Sequence, residues 1–165
     1  MTDYLKNIGK WADALEPKRQ DRFVLEIDGI PVYLIKTAER PKGANGMFEV
    51  DYINSKRKFK GKSTWESMSI TLHDPISESS ARMIHEWNKL HHDAQTNTDG
   101  YKADYTKDIN LKLLSPTGTV IENWLIKNAF IESFDYGSFD HSSETPVEIS
   151  LVLSYDYAEL VETAA

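Results

Sequence analysis

Five histidines, two carboxylate pairs and one run of basic residues are the side chains of this 165-residue chain that could do chemistry. His85, His91 and His92 fall within one helical stretch, His73 precedes it, and His141 lies far downstream. Zinc-binding helices place ligands at i and i+4 on one face and back them with further ligands. His85 and His92 stand seven residues apart, two helical turns, too far along an axis to share an ion easily. They read as solvated helix-face side chains. The chain has no cysteine, which removes thiolate nucleophiles, disulfides and Cys-type zinc sites. Glycoside hydrolysis needs two carboxyls at a set separation across a cleft. Glu49/Asp51 and Glu148/Asp156 instead sit on the polar sides of alternating strands, where surface acids belong. No GxSxG, P-loop or Rossmann glycine pattern is present, and Ser115 and Ser154 lack neighbours that would activate them. The residues offer no catalytic group, no metal site and no cofactor. The chain is read as not an enzyme.

The basic run Lys56-Arg57-Lys58-Phe59-Lys60-Gly61-Lys62 admits two functional readings. Basic residues interleaved with an aromatic can grip single-stranded nucleic acid, the ring stacking on a base. The same run can seek an acidic face on another subunit. Net charge decides between them: at −7 the protein lacks the basic surface that phosphate neutralisation requires. Between Lys36 and Lys62 there are eight basic residues against three acids; after Lys127 there are eight acids and no Lys or Arg. A monomer with one basic and one acidic segment can meet its copies head to tail, and such heterologous contacts generate rings and filaments. A subunit contact is the better reading.

The elements that must position these residues follow from periodicity. Length predicts one domain over residues 1–165. No apolar run approaches the roughly 20 residues that span a bilayer, and the N-terminus lacks a signal-peptide pattern, so folding in a cytoplasm is expected. Residues 1–20 predict a short amphipathic opening (Tyr4, Ile8, Trp11, Leu15) ended by Pro17. Arg22–Ile27 and Ile30–Lys36 flank Asp28-Gly29 and predict a hairpin, followed by a loop from Lys36 to Gly46. Met47–Ile53 alternates Phe48, Val50 and Tyr52 against Glu49 and Asp51; Trp65–His73 alternates Met68, Ile70 and Leu72 against Ser67, Ser69 and Thr71. With the basic run between them, these two form an extended hairpin or a projecting loop. A helix is predicted over 74–95, capped by Asp74 and Pro75, with Ile76, Ser80, Met83, Trp87, Leu90 and Ala94 as its buried stripe. Residues 96–105 read as a mobile loop. Strands at Ile109–Leu114 and Thr119–Ile131 surround a Ser115–Gly118 turn, and a last strand alternates from Val147 to Tyr157. Roughly seven strands and one helix predict a mainly β protein of two packed antiparallel sheets, sandwich or barrel, with a flanking α-helix.

From Phe23 to Tyr157 this pattern resembles the tail tube proteins of contractile-tailed phages of the T4 type. The features that carry it are the Phe23–Lys36 hairpin followed by Thr37-Ala38 and the Pro41-Lys42-Gly43 loop, the strand–basic loop–strand unit ending in Thr64–Asp74, the helix with Ala81-Arg82 and Glu86-Trp87, and Asn128–Ile131 entering an acidic loop. The Pro146–Tyr157 strand closes it. The resemblance implies subunits that close six to a ring, with inner strands joined into one barrel and rings stacked head to tail. It implies a fold shared with the inner tubes of type VI secretion and contractile injection systems. The expected partners are further copies, a tail sheath, a baseplate or initiator, and a tape measure protein. DNA would pass without specific binding, no membrane would be involved, and the location would be a virion tail assembled in a host cytoplasm. The early extended hairpin would reach the neighbouring ring, which maps an inter-ring contact onto Tyr52, Ile53, Lys56, Arg57, Lys58, Phe59, Lys60 and Lys62. A tube initiator, a baseplate component and an injection-system tube share the fold and stay open as alternatives.

Two residue-level expectations accompany it. Ser67, Ser69, Thr71, Ser150 and Ser154, with Glu49, Asp51, Glu148 and Asp156, form a modest polar set without lysine or arginine. A conduit should not hold DNA, so these are expected to face a lumen. The apolar sides (Phe48, Val50, Met68, Ile70, Ile149, Leu151, Leu153) are expected to pack between sheets.

Overall fold

The computed structural model describes residues 16–161, and the stripe expected at Tyr4, Ile8, Trp11 and Leu15 lies outside the described residues. Mainly antiparallel strands make the body. Strand β1 (Phe23–Glu26) is followed by a turn at Asp28-Gly29, where Gly29 takes a φ of +83° and Ile30 N–H donates to the Ile27 carbonyl at 3.1 Å. The expected hairpin stops after that single bridge. Pro31 has no N–H to give a ladder, and the chain winds instead into one 3-10 turn, Val32–Leu34, that buries Leu34. It then leaves for a different partner as β2 (Ile35–Ala38). The predicted loop from Lys36 to Gly46 is therefore mostly strand, since β3 already begins at Lys42.

Among the described residues, strands β3 (Lys42–Tyr52) and β4 (Ser55–Glu66) pair only with each other. The basic run is itself a strand of this hairpin, and the turn lies at Ile53-Asn54. What the sequence presented as one strand from Trp65 to His73 divides at Ser67, and β5 (Met68–His73) joins the body.

Helix α1 (Ser80–His91) starts six residues later than predicted, with Ser79 as its cap accepting from Arg82 N–H at 3.4 Å. Asp74 serves from outside the helix: its carboxylate accepts from Ser79 Oγ at 3.2 Å and Ala81 N–H at 3.4 Å. The late start turns the buried stripe to Ser80, Ile84 and Trp87, leaving Ile76, Leu90 and Ala94 exposed and Met83 half-buried. Residues 96–105 are ordered as the end of a short hairpin, β6 (His92–Asp93) with β7 (Thr98–Asp99), and a single turn α2 (Lys102–Tyr105) whose last carbonyl accepts from Trp87 Nε1 at 2.7 Å.

The remaining strands are β8 (Lys107–Leu114), β9 (Val120–Asp135), β10 (Glu148–Ser154) and β11 (Tyr157–Val161). The order across the body is β1-β8-β9-β10-β5-β2, with β11 also on β9. Sixteen-residue β9 belongs to two halves. One edge takes β8 from Val120 to Ala129; the other takes β11 at Asn123–Lys127 and β10 at Phe130–Asp135. Half one is β1-β8-β9-β11, half two is β9-β10-β5-β2. This is the two-sheet, helix-flanked architecture the sequence predicted. The long terminal strand breaks at Tyr155-Asp156, so Tyr157 is exposed on β11 instead of continuing the buried row.

A bulge marks the crossover. Between Lys107 and Ile109 on β8, β9 runs three residues, Ala129 to Ile126, and Asn128 adopts a φ of +54°. The extra residue shifts the inward phase from Ile126 to Ala129 and Ile131. Side chains hold it: Asp108 accepts from Lys127 Nζ at 2.7 Å and Asn128 N–H at 3.1 Å, and Asn128 Nδ2 donates to Asp156 at 2.7 Å. One core joins both halves: Leu25, Ile109, Leu111 and Ile126 pack with Met68, Ile70, Leu72, Ile149, Leu151 and Leu153 under Ile84 and Trp87. Each large side chain so buried contributes about 1.5–3 kcal/mol. Phe48 and Val50 do not share it. Contrary to expectation, both are exposed on the projecting hairpin.

Candidate assembly interface

The β3–β4 hairpin has arms of 11 and 12 residues, about 35 Å at roughly 3.3 Å per residue. Every residue in it except Gly61 is exposed. Its base is anchored. The Trp65 ring lies 6.1 Å from that of Tyr155, and Tyr155 Oη accepts from Lys42 N–H at 3.3 Å. Glu39 ties the base to β5 by accepting from Ser69 N–H at 3.0 Å, a bond that, with Lys42, holds its carboxyl below its ordinary value.

Register sorts the outer arm into two faces, because directly opposed residues share a side. Phe48 opposes Phe59, Val50 opposes Arg57, and Tyr52 opposes Ser55. The two phenyl rings stack at 5.5 Å, and Tyr52 and Ile53 at the tip are 70% and 85% exposed. The other face opposes Glu49 to Lys58 and Asp51 to Lys56, with Lys56 Nζ 3.6 Å from Glu49 and 3.8 Å from Asp51. The basic run is thus partly neutralised in its own hairpin. Arg57, Lys60 and Lys62 form no ion pair among the described residues. Of this apolar row, Phe48 and Val50 are the residues that sequence reasoning placed in the core. Contiguous exposed apolar rows of this kind mark interaction sites, and aromatic and arginine side chains dominate their energetics.

The polar set expected to line a lumen divides. On half two, Ser67, Ser69 and Thr71 of the β5 side and Glu148, Ser150 and Ser154 of β10 alternate with buried residues and so point outward together. Ser150 opposes Thr71 on one side and Asp135 on the other; Val152 opposes Ser69 and Ser133. Ser67 Oγ donates to Glu132, and Lys36 pairs with Glu148. Glu132, Ser133 and Asp135 join this face and were missed because β9 extends past Ile131, where the sequence reading ended it. Glu49 and Asp51 lie on the hairpin. Asp156 sits at the crossover, taking Lys102 Nζ at 2.7 Å, which lowers its carboxyl's affinity for protons.

Sequence reasoning also missed Glu122. It lies on β9 between Leu113 and the chain's early segment, only 6% exposed. Three donors converge on it: Lys18 Nζ at 2.6 Å, Trp124 Nε1 at 2.5 Å, and Arg40. Burial pushes its carboxyl up, but these hydrogen bonds outweigh burial and hold it below its ordinary value. It lines an open cavity of about 710 Å³ with Phe23, Leu111 and Trp124. Two of its donors precede β1 and β3, so Glu122 fixes where the N-terminal segment and the hairpin leave the body. No signal in an isolated acid on a strand announces such a role. Among the described residues no group of three or more His, Asp or Glu is arranged to hold a metal.

No protein-family model matches the chain, and no curated protein matches it. Solved structures do. A chain in the cryo-EM structure of the anti-feeding prophage cap, the tube-terminating cap, superposes with a TM-score of 0.73 at 20% identity, covering 91% of this chain and 94% of that one. A chain in the sheath–tube complex of the extracellular contractile injection system PVC, in its extended state, gives 0.71 at 19% identity over 94% and 97%. The SPP1 tail tube gives 0.53 at 15% identity over 90% and 81%. This chain has the fold of tail tube and tube-terminating proteins.

Proposed function

We propose that the protein is a structural subunit of a tube, stacking with its own copies inside a contractile particle. The observation that carries this reading is a tail tube fold bearing a long hairpin whose strands, among the described residues, pair only with each other. Two open edges add to it. The outer side of β2 has no strand partner among the described residues, and neither has the β8 side of β9 beyond Ala129, opposite the first residue of β8. Joining these edges between copies extends half two into a continuous ring and removes the exposed edges that invite uncontrolled aggregation. Six copies per ring is the number the resemblance implies.

In this reading half two forms the inner wall. Its face of Ser67, Ser69, Thr71, Ser150 and Ser154, with Glu148, Glu132 and Asp135, presents hydroxyls and carboxylates to the lumen. Such a surface does not trap phosphate. Sheath, baseplate and tape measure proteins are the corresponding partners, a particle's tail the location, and DNA a passenger that is not bound. An injection-system tube without a genome is a second reading with one observation in its favour: the PVC and anti-feeding prophage chains superpose at 0.71 and 0.73, the SPP1 tail tube at 0.53.

Negative-stain electron microscopy with sedimentation tests the reading. Concentrated protein should form rings or hollow rods of uniform bore. A monodisperse monomer that binds DNA with steep salt dependence would replace the tube by a nucleic-acid-binding domain using Lys56–Lys62.

A further inference from the structure

At Asn128 both edges of β9 change partner, and we propose that the side chains gathered there form a positioning clamp that sets the angle at which one copy presents its open edge to the next. This rests on the ring reading and names what fixes the ring's bore. Before the crossover β9 carries β8 on one edge and β11 on the other; after it the first edge is open and the second takes β10. The open edge is the one left for a neighbouring copy. Its residues, Phe130–Asp135, pair with β10 alone among the described residues, so their direction depends on how β9 bends at the bulge.

Side chains from β8, β9, α2 and the β10–β11 break meet at this point. Asn128 takes a φ of +54°, a left-handed conformation that asparagine tolerates better than most residues with a side chain. Asp108 of β8 accepts from Asn128 N–H at 3.1 Å and from Lys127 Nζ at 2.7 Å. Asp156 accepts from Asn128 Nδ2 at 2.7 Å and gives its own N–H to the Lys127 carbonyl at 3.1 Å. Lys102 of α2 closes the network on Asp156 at 2.7 Å. The helix layer is tied in a second way: the Tyr105 ring lies 4.6 Å from that of His91 on α1 and 5.6 Å from that of Phe130, the first residue of the open stretch. Both carboxylates are more than a third exposed, so these ion pairs add little to stability. A left-handed asparagine costs backbone energy. What the cluster supplies is direction, because it holds β8, β9 and the two terminal strands at one angle. Direction decides assembly: a heterologous contact closes into a ring only when the turn from copy to copy divides a full circle, and otherwise it winds into an open filament.

Uniformity of bore, read beside stability, tests this on the full chain. Asn128→Gly adopts the same φ freely and drops the bond to Asp156; Asp156→Ala drops that bond and the Lys102 pair. Each should lower Tm by no more than about 4 °C, since exposed pairs contribute little. Combined as N128G/D156A, they should abolish the single ring size: top views by negative-stain electron microscopy should show more than one copy number, or open filaments. Lys102→Ala removes one exposed pair and leaves the bulge itself untouched, so it keeps the test open if the double variant does not fold. It should give the same mixture with a smaller share of altered rings. Rings of only the unsubstituted copy number from either folded variant would overturn the clamp while leaving stacked tubes standing. An unsubstituted chain that forms neither rings nor rods would overturn both.

Discussion

Glu122 shows how much one buried charge can organise. It is shielded from water, yet stays ionised because Lys18, Trp124 and Arg40 each donate to it, two of them from the segments that lead into β1 and β3. Glu122→Gln keeps the shape and removes the charge. It should cost about 2 kcal/mol at neutral pH, since two cations lose a desolvated partner but remain open to water themselves. In a domain of this size that is a fall in Tm of about 6 °C. The sign with pH is fixed by the direction of the shift. A carboxyl whose folded pKa is lowered adds stability above its unfolded pKa and loses it as pH falls through the folded value. The Tm gap between the two proteins should therefore be full at pH 7 and close below about pH 4. A gap that persists in acid would mean that Gln disturbs packing instead.

At the scale of elements, the hairpin depends on a bulge near its base. Between Asn45 and Met47 the register shifts so that Gly46 opposes two residues of β4, and a Cβ on Gly46 would lie 2.6 Å from the Lys62 carbonyl oxygen. Gly46→Val should push the arms apart there and re-aim the outer arm while the core, which the hairpin meets only at its base through Trp65 and Tyr155, stays intact. The expected result is an unchanged Tm with assembly lost in sedimentation; retained assembly would show that the arm's direction is not set at the bulge. This element also shows what the sequence could and could not reveal. The period-two pattern at Met68–His73 and Ile149–Leu153 named core strands correctly, because burial on one face is what period two encodes. The same period at Phe48 and Val50 was misread as core, because a projecting strand with one apolar face writes the same pattern as a buried one. The failure at Ile30–Lys36 has a different origin. Asp28-Gly29 does turn the chain, but Pro31 two residues later denies the ladder, and local turn chemistry could not reveal that β1 belongs with β8. The helix start was misplaced for a similar reason. Asp74 is a cap by composition, but it reaches Ala81 from six residues outside the helix.

For the whole molecule, the informative asymmetry is between the two ends and the two faces of half two. Its inward face is entirely apolar at Ile70, Leu72, Ile149 and Leu151; its outward face is built from short hydroxyls with the carboxylates of Glu132, Asp135 and Glu148. If that outward face lines a conduit, positive charge added there should change traffic and not architecture. Ser69→Lys with Ser150→Lys, both exposed, should leave rods of the same bore that retain DNA at low salt and release it at high salt. Rods that ignore DNA would place these residues on another surface. The candidate site was legible in part. The basic run and the acidic C-terminal segment could be read from charge alone, whereas their placement at opposite ends needed the path of β5 between them.

The crossover in β9 has a bearing on when this protein becomes sticky. β1 pairs with a strand beginning at Lys107, and β5 is incomplete until β10, after Glu148, lies beside it. The hairpin, by contrast, needs only its own 25 residues from Lys42 to Glu66 and can close within microseconds of emerging from a ribosome. A growing chain thus completes its projecting hairpin long before its body, since β9 and β10 are synthesised late. If the hairpin is the assembly contact, a nascent chain therefore carries that contact complete before its own body has folded.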